Sequence, residues 1–381
     1  YPCEAKVQSL QLYPGGCAME LMPIYPHRPP PHVGCWRVDK LGNFIAYERQ
    51  INALKRIVVG NETGKKHAEV DRSIQSIIAG SDAAEEGVGN KGADLEVLCR
   101  AQVAAGGGGK SRSERSERSQ QEAARQAAYA AMGRTDPLHA NMATPDNLNA
   151  SQQMARDVAM QRTVTLIQGP PGAGKTKTAV ALAAAWVRSG NANLPVLVCA
   201  DSNTAVDNLA EGLSQQGIRV ARVAKANSVR DSLQGLVCDM GGRDAAAAKR
   251  QLSSADAVLV TCAGAGSSVF DKERFSNVLI DEAGQATEPM TLIPITRGCR
   301  QLVLVGDHHQ LPPTVVSKRA EEEGLANSLF GRLADAGAKT HLLDTQYRMH
   351  PAIADFPATK FYHGDLKSDP NLHSGTRPLP P

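Results

Sequence analysis

The chain has 381 residues, of which 42% are hydrophobic and 21% are charged, so a wholly disordered protein is excluded. The length allows one large domain or two of ordinary size. The 42 basic residues nearly balance the 39 acidic ones, and the net charge of +3 excludes an argument for nucleic-acid binding from bulk electrostatics. Any such binding has to come from local clefts and backbone groups.

Cysteines and apolar runs indicate the setting in which the protein works. The eight cysteines are irregularly spaced and form no CxxC pair. Two of them, Cys199 and Cys262, fall in apolar runs where a free thiol serves as a small core residue. No apolar stretch approaches the roughly 20 residues that span a bilayer. We therefore expect a soluble intracellular protein, cytoplasmic or nuclear, with no membrane partner.

Residues 1–46 carry few signals and remain an uncertain N-terminal segment. A proline-rich stretch at 25–34 predicts that regular structure is short there. Five cysteines and histidines in this segment could in principle ligate a metal ion, but their spacing fits no usual zinc pattern. They are Cys3, Cys17, His27, His32 and Cys35.

Residues 47–80 predict two amphipathic helices, because apolar residues recur at helical spacing from Ile51 to Ile57 and again from Ile74 to Ile78. Residues 81–147 then shift to alanine, glycine, serine and charge. Their alternating signs, as in SERSER, are typical of a solvated helix or a disordered tract. We interpret that segment as a low-complexity insert or linker.

From residue 148 onward, short β-branched runs alternate with helical stretches. The five runs are TVTLIQG, PVLVCA, DAVLVTCA, NVLIDEA and QLVLVGD. Apolar runs without polar alternation are typical of a parallel sheet that is covered on both faces. The segments at 176–190 and 205–217 fit crossover helices. The sequence therefore predicts an α/β fold, although spacing alone does not give the strand order.

The first of these strands runs into a glycine-rich loop that matches the Walker A, or P-loop, pattern GxxxxGK[ST] and opens a helix. The loop comprises Gly169, Pro170, Pro171, Gly172, Ala173, Gly174, Lys175 and Thr176. Its N–H groups and the helix N-terminus favour phosphate, Lys175 is placed to reach the β- and γ-phosphates, and Thr176 offers a hydroxyl to Mg²⁺. We expect a nucleoside triphosphate and Mg²⁺ here.

The strand NVLIDEA ends in two acids that suit hydrolysis. Asp281 is predicted to hold the Mg²⁺ shell, and Glu282 to take a proton from the attacking water. Transfer to water needs such a base, so the pair favours hydrolysis over kinase chemistry. A kinase would also need a substrate lid and a basic phosphate clamp, which the sequence does not show.

The strand QLVLVGD leads to Gln310, whose amide can donate and accept and therefore suits contact with the γ-phosphate. His308 and His309 invite an interpretation as metal ligands. The sequence does not favour that interpretation, because adjacent residues on an emerging strand are expected to point in opposite directions and no partner ligands are evident.

Together, GPPGAGKT, DEAGQATEP, GDHHQLPP and QYRMHP resemble the motifs of superfamily 1 helicases. More narrowly they are similar to the up-frameshift branch, which includes the nonsense-mediated-decay RNA helicase, senataxin and the immunoglobulin mu-binding helicase. The resemblance covers about 148–366. It implies a RecA-like first lobe at 148–361, ATP as the nucleotide, and single-stranded RNA or DNA as partner. Segment 47–80 resembles the stalk of the family.

The same resemblance assigns roles to individual residues. It implies that Gln152 reads the adenine edge, that Tyr347 stacks on adenine and that Arg348 approaches the γ-phosphate. It also implies contacts to the nucleic-acid backbone from Ser202, Asn203 and Thr261. Asp201 replaces the usual proline of the family, and an acid beside a phosphate track is mildly unfavourable.

The motor of this family needs two RecA-like lobes, and residues 362–381 resemble only the start of the second. We therefore expect a fragment that binds ATP weakly and hydrolyses it poorly, since an arginine finger supplies on the order of 10³-fold in rate. The alternative is a non-motor ATP-binding scaffold derived from a truncated helicase.

Overall fold

The computed structural model describes seven parts of the chain. They are residues 5–13, 16–23, 44–58, 72–79, 147–189, 195–241 and 245–373. The predicted insert or linker lies outside the described residues except for residue 147, as do the side chains of the N-terminal cysteine and histidine group. No helix among the described residues is long and apolar enough to cross a membrane.

The chain divides into two compact units, Tyr1–Arg49 and Gln50–Pro381. The first contains an antiparallel hairpin of strands β1, Ala5–Tyr13, and β2, Gly16–Pro23. Sequence analysis assigned no strand to this segment.

The second unit is built on an eight-stranded sheet in which every pair of neighbouring strands is parallel. Its strands are β3 Val164–Gln168, β4 Val196–Ala200, β5 Val220–Val223, β6 Val237–Cys238, β7 Ala257–Thr261, β8 Asn277–Asp281, β9 Gln301–Gly306 and β10 Thr340–Leu342. Their order across the sheet is β10-β3-β9-β8-β4-β7-β5-β6. A separate two-stranded parallel sheet pairs β11, Thr345–Gln346, with β12, Lys367–Ser368.

Ten α-helices are described along the chain. They are α1 Phe44–Val58, α2 Arg72–Ala79, α3 Ala150–Gln161, α4 Lys175–Arg188, α5 Asn203–Gln215, α6 Ala245–Ser254, α7 Glu288–Ile295, α8 Lys318–Glu322, α9 Leu329–Asp335 and α10 Pro351–Tyr362. Both predicted N-terminal helices are confirmed, and their apolar residues Ile57, Ile74 and Ile77 are buried.

The α/β prediction is confirmed, and all five predicted strands form adjacent positions in the middle of the sheet. They are β3, β9, β8, β4 and β7, and almost every residue in them is buried. Alternate residues of these strands join two different cores: Leu166 lies on one face and Ile167 on the other, where α4 and α5 pack. Within this sheet, the strands that sequence analysis missed are β5, β6 and β10, which lie at the margins and are shorter.

Because the central strands are parallel, their carboxyl ends meet along one edge of the sheet. Two of these ends approach unusually closely. A Cβ atom placed on Gly306, the last residue of β9, would lie 2.7 Å from the amide nitrogen of Gly284, after β8. Glycine at 306 therefore lets the two loops pack backbone against backbone.

Candidate functional site

The loop between β3 and α4 uses glycine where the backbone requires it. Gly172 and Gly174 have φ angles of 78° and 82°, in the left-handed region. A Cβ on Gly172 would also lie 2.6 Å from Cβ of Arg348. The N–H of Tyr347 donates to the Gly172 carbonyl at 3.0 Å. The structure thus seats the Tyr347–Arg348 segment directly against the loop.

Lys175 is the first residue of α4, and its ammonium group lies inside the curve of the loop. Its Nζ donates to the Gly169 carbonyl at 3.1 Å and lies 3.9 Å from Oε2 of Glu282. A phosphate group in the loop would therefore meet a positive charge beside the backbone amides.

Thr176 and Asp281 meet although 105 positions separate them in the chain, with Oγ1 of Thr176 donating to Oδ2 of Asp281 at 3.0 Å. Burial raises the pKa of the Asp281 carboxyl to about 6, and the neighbouring charge of Glu282 adds to the rise. Hydrogen bonds from the Glu282 backbone and from Thr176, together with the charge of Lys175, oppose it.

These two oxygen-bearing side chains fit Mg²⁺, which prefers oxygen ligands and is usually completed by waters and substrate phosphates. The described residues contain no group of three or more histidine, cysteine, aspartate or glutamate side chains that could hold a metal ion by themselves. The phosphate side of the shell would therefore come from the nucleotide.

Glu282 has a φ angle of 53°, in the left-handed region, which non-glycine residues adopt rarely and which recurs at active sites. Its Oε2 faces Lys175 and accepts from Nε2 of Gln285 at 3.4 Å. The carboxylate thus borders the phosphate loop and remains partly exposed, as a group that takes a proton from water requires.

Gln310 reaches the first residue of the loop from the turn after β9. Its Nε2 donates to the Gly169 carbonyl at 3.1 Å and to Oδ2 of Asp307 at 2.7 Å. The Gly169 carbonyl thus accepts from both Gln310 and Lys175. The structure thus brings Gln310 against the first residue of the loop, and its contact with the γ-phosphate stays a prediction.

Gln152 stabilises the phosphate loop through a buried side-chain hydrogen bond. Its side chain is 1% exposed, with Nε2 donating to the Ala173 carbonyl at 2.9 Å and Oε1 accepting from the Asn149 N–H at 3.1 Å. The predicted contact of Gln152 with adenine stays a prediction.

Sequence analysis missed Asn149, which precedes α3 and caps it as part of a capping box with Gln152. Its Nδ2 also donates to the hydroxyl of Tyr347 at 2.8 Å. The local pattern Asn-x-x-Gln before a helix was the available signal.

An open cleft of about 520 Å³ joins these elements. Its lining residues come from the loop, the start of α4, the acidic strand end and the Tyr347–Arg348 segment: Pro170, Gly172, Gly174, Lys175, Thr176, Lys177, Glu282, Tyr347 and Arg348. Lys177 is the one lining residue that sequence analysis did not select. Tyr347 is 43% exposed, so its ring is accessible from the cleft.

The predicted nucleic-acid residues lie apart from the cleft, at the ends of β4 and β7, where Ala200 pairs with Thr261. Ser202 caps α5 by accepting from the Ala205 N–H at 3.1 Å. Thr261 accepts from the Gly264 N–H at 3.1 Å. The structure brings these residues to neighbouring strand ends, and each hydroxyl accepts from the backbone three residues on.

Asn203 is anchored by a buried ion pair. Its Oδ1 accepts from Nη2 of Arg222 at 2.8 Å, and Nε of Arg222 donates to Oδ1 of Asp207 at 2.9 Å. Arg222 is fully buried, so this pair fixes the start of α5. Next to Asn203, desolvation raises the pKa of the Asp201 carboxyl.

The expectation that His308 and His309 point in opposite directions is wrong. Their rings lie 4.0 Å apart between centroids, because both residues belong to the turn after β9 rather than to extended strand. His308 stacks on Phe330 and His309 meets Tyr362 edge to face. Both rings therefore pack against aromatic neighbours.

Comparison with known proteins places this site in a known group of domains. One AAA domain model matches residues 147–239 and 224–318, and a second AAA domain model matches residues 325–379. The regulator of nonsense transcripts 1 homolog of Arabidopsis thaliana is 41% identical over 257 residues, covering 58% of this chain and 20% of the relative. The ATP-dependent helicase upf1 of Schizosaccharomyces pombe is 40% identical over 259 residues, covering 58% of this chain and 28% of the relative.

The ATP-dependent helicase NAM7 of Saccharomyces cerevisiae is 37% identical over 277 residues, covering 64% of this chain and 28% of the relative. The chain thus spans between 20% and 28% of the length of these three relatives. Among solved structures, the helicase nonstructural protein 10 of an arterivirus in complex with DNA aligns at 15% identity with a TM-score of 0.37, covering 58% of this chain and 44% of that chain.

Proposed function

This chain belongs to the up-frameshift group of superfamily 1 helicases, and from that premise we propose that it binds and hydrolyses ATP for a nucleic-acid helicase or translocase. In such a protein, ATP hydrolysis drives the unwinding or remodelling of RNA or DNA. The observation that carries the proposal is the convergence of Lys175, Glu282 and Arg348 on one cleft beside the Thr176–Asp281 pair. Two relatives named ATP-dependent helicases support it.

We propose the same organisation for the chain as its sequence predicts. Residues 148–361 form the first RecA-like lobe, 362–381 begin a second, and 47–80 form a stalk-like segment. The extent of the first lobe is supported by β10, which joins the sheet and so extends the lobe at least to Leu342. The stalk-like segment is supported by Ile74 and Ile77 of α2, which pack into the core on one face of the sheet.

In the proposed chemistry the loop amides and Lys175 bind the phosphates, Tyr347 receives the adenine ring and Arg348 faces the terminal phosphate. Thr176 and Asp281 would hold Mg²⁺, which neutralises charge on the phosphate oxygens when bound. Glu282 takes the proton from the attacking water, and the 3.9 Å distance between its Oε2 and Lys175 Nζ supports this role.

The strand ends of β4 and β7 suit a nucleic-acid backbone. Ser202, Thr261 and Asn203 each accept one hydrogen bond through a side-chain oxygen, and each still carries a hydrogen of its own to donate. Phosphate oxygens only accept, so the donors match them without reading a base. We propose that single-stranded RNA or DNA binds here, and that the acidic side chain of Asp201 weakens this binding.

We propose an intracellular setting, cytoplasmic or nuclear. Its support is that Cys199, Cys238, Cys262 and Cys299 are free and buried, with burial raising the pKa of the Cys238 thiol to about 11. Buried thiols of this kind serve as core residues rather than as disulfide partners.

The test is ATP binding and phosphate release by the chain with Mg²⁺, measured alone and with single-stranded RNA or DNA. We expect saturable ATP binding and slow phosphate release that rises when a single strand is added. ATP binding with no release under any condition would favour the non-motor scaffold. Absence of ATP binding would contradict both functions.

A further inference from the structure

Asp307, directly after β9, is a buried carboxylate held by donors from three parts of the fold. It is 3% exposed. Its Oδ1 accepts from Nε2 of Gln168 at 3.3 Å and from the His309 N–H at 3.2 Å. Its Oδ2 accepts from Nε2 of Gln310 at 2.7 Å and from the hydroxyl of Tyr362 at 2.6 Å. The two hydrogen bonds to Oδ2 have the short lengths of strong hydrogen bonds to a carboxylate.

Oδ2 of Asp307, which accepts from both Gln310 and Tyr362, fixes the orientation of the Gln310 amide. One N–H of that amide rests on Asp307, and the other points to the Gly169 carbonyl, where Lys175 also donates. An amide NH₂ has two hydrogens in one plane, so two acceptors determine its orientation. The N–H on the Gly169 carbonyl is therefore the one that contacts the phosphate loop.

Tyr362 is built to keep its hydroxyl as a donor. It is the last residue of α10 and is 5% exposed. Its ring meets His309 edge to face, with centroids 5.7 Å apart. Burial, together with the hydrogen bond to Asp307, raises the pKa of the hydroxyl above its ordinary value. The group thus remains protonated and donates to the carboxylate.

Helix α10 connects this network to the other side of the cleft. It begins at Pro351, three positions after Arg348, and ends at Tyr362. One helix therefore joins the segment that carries Arg348 to the carboxylate that orients Gln310. Both side chains are proposed to meet the terminal phosphate from different loops.

We propose that Tyr362 is a positioning residue for recognition of the γ-phosphate. Through Asp307 it holds the Gln310 amide in one orientation. When ATP binds, the N–H that donates to the Gly169 carbonyl donates to a γ-phosphate oxygen instead. The chain then distinguishes ATP from ADP partly through a tyrosine that does not itself border the cleft. The inference rests on the proposed function, because it requires ATP in this cleft.

The test is equilibrium binding of two nucleotides, ADP and the non-hydrolysable β,γ-imido analogue of ATP, to wild type and Tyr362→Phe with Mg²⁺. Phenylalanine keeps the ring and removes the hydroxyl. We expect the affinity for the ATP analogue to fall about tenfold, as for a lost hydrogen bond to a charged group, while the affinity for ADP changes less than about twofold. Thr296→Val is the matched control, because it removes a buried hydroxyl that donates only to the Ile293 carbonyl at 2.8 Å.

A second measurement separates positioning from general damage. Gln310→Ala should lower binding of the ATP analogue in the same way, and Tyr362→Phe combined with Gln310→Ala should lower it no further. If Tyr362→Phe does not fold, the ATP-to-ADP affinity ratio of Asp307→Asn replaces it and should fall in the same direction.

The outcomes are distinct for the two proposals. A wild-type chain that binds neither nucleotide contradicts the proposed function. A wild type that binds both nucleotides equally overturns the role of Tyr362. Equal loss of ADP and ATP-analogue binding in Tyr362→Phe, or no loss in either, overturns it as well.

Discussion

Two stretches of one sheet edge use their polar side chains differently. At the ends of β3, β8 and β9, side-chain contacts join residues far apart in the chain, such as Thr176 with Asp281 at 3.0 Å and Gln310 with Gly169 at 3.1 Å. At the ends of β4 and β7, Ser202 and Thr261 each bond to the backbone three residues on.

This difference predicts how strongly a single substitution affects each region. The cleft is assembled by the fold, so one altered side chain disturbs chemistry to which several elements contribute. The ends of β4 and β7 are formed largely by local turns, so one altered side chain there removes one contact. We therefore expect large effects in the cleft and small ones at β4 and β7.

The largest effect should come from Glu282→Gln in the cleft. The amide cannot take a proton from water, so phosphate release should fall between about 10²-fold and 10⁴-fold while ATP binding persists. Single-turnover phosphate release and ATP titration measure the two separately. Glu321→Gln on α8 is the exposed control. Normal turnover in Glu282→Gln would remove the proposed base and with it the contrast between the two regions.

A smaller effect should come from the buried charge of Asp281. Its pKa is about 6 in the folded protein against an ordinary 3.8, so between these pH values the folded state keeps a proton that the unfolded state releases. The free energy of unfolding therefore falls as pH rises through this window. Asp281→Asn cannot ionise, so above pH 6 its free energy of unfolding should exceed that of wild type by up to about 3 kcal/mol. Any loss of the Thr176 hydrogen bond reduces this difference. The difference should be smaller near pH 4.

Urea unfolding in a chelating buffer, at several pH values, checks this expectation for Asp281→Asn. Asp365→Asn, which removes a carboxyl at an exposed position, is the matched control. A difference between Asp281→Asn and wild type that stays constant from pH 4 to 8 would show that burial of this carboxyl carries no cost.

The close approach of the β8 and β9 loops predicts a third effect. In Gly306→Ala the new Cβ would meet the Gly284 amide nitrogen at 2.7 Å, so the loops must separate, at a cost of about 1–3 kcal/mol. Gly235→Ala is the control, since a Cβ there meets nothing within 4 Å. Urea unfolding compares the two. Equal stabilities would show that this edge tolerates movement.

The smallest effect is expected at the end of β4. Ser202→Ala should weaken binding of single-stranded RNA or DNA about fivefold, the value of one hydrogen bond, and leave ATP binding unchanged. It also removes a helix cap, so Ser317→Ala, which removes the comparable cap of α8, is the control. Filter binding measures both. Equal loss of affinity in the two variants would assign the effect of Ser202→Ala to stability.

The sequence predicts best where one continuous pattern carries the information. Central strands such as β4 and β8 are buried along their whole length and read as uninterrupted apolar runs. Marginal strands such as β10, with three partly buried residues, leave no such run. Strand order depends on packing between elements and is not encoded in spacing.

The phosphate loop was predictable for the same reason, because its eight residues are contiguous. The Asp307–Tyr362 bond was not, since its partners lie 55 positions apart and Tyr362 belongs to none of the motifs. The predicted orientation of His308 and His309 was wrong, because side chains alternate in direction along an extended strand and not in the turn that follows it.

The most direct test of the central claim, that the cleft binds ATP through the loop after β3, is a titration of wild type and Lys175→Ala with Mg²⁺ and ATP. Lys249→Ala, which removes an exposed lysine from α6, is the charge-matched control. We predict saturable binding to wild type and to Lys249→Ala, and affinity reduced at least about tenfold in Lys175→Ala, as for a lost charged hydrogen bond. Equal ATP affinity in all three proteins would contradict the claim.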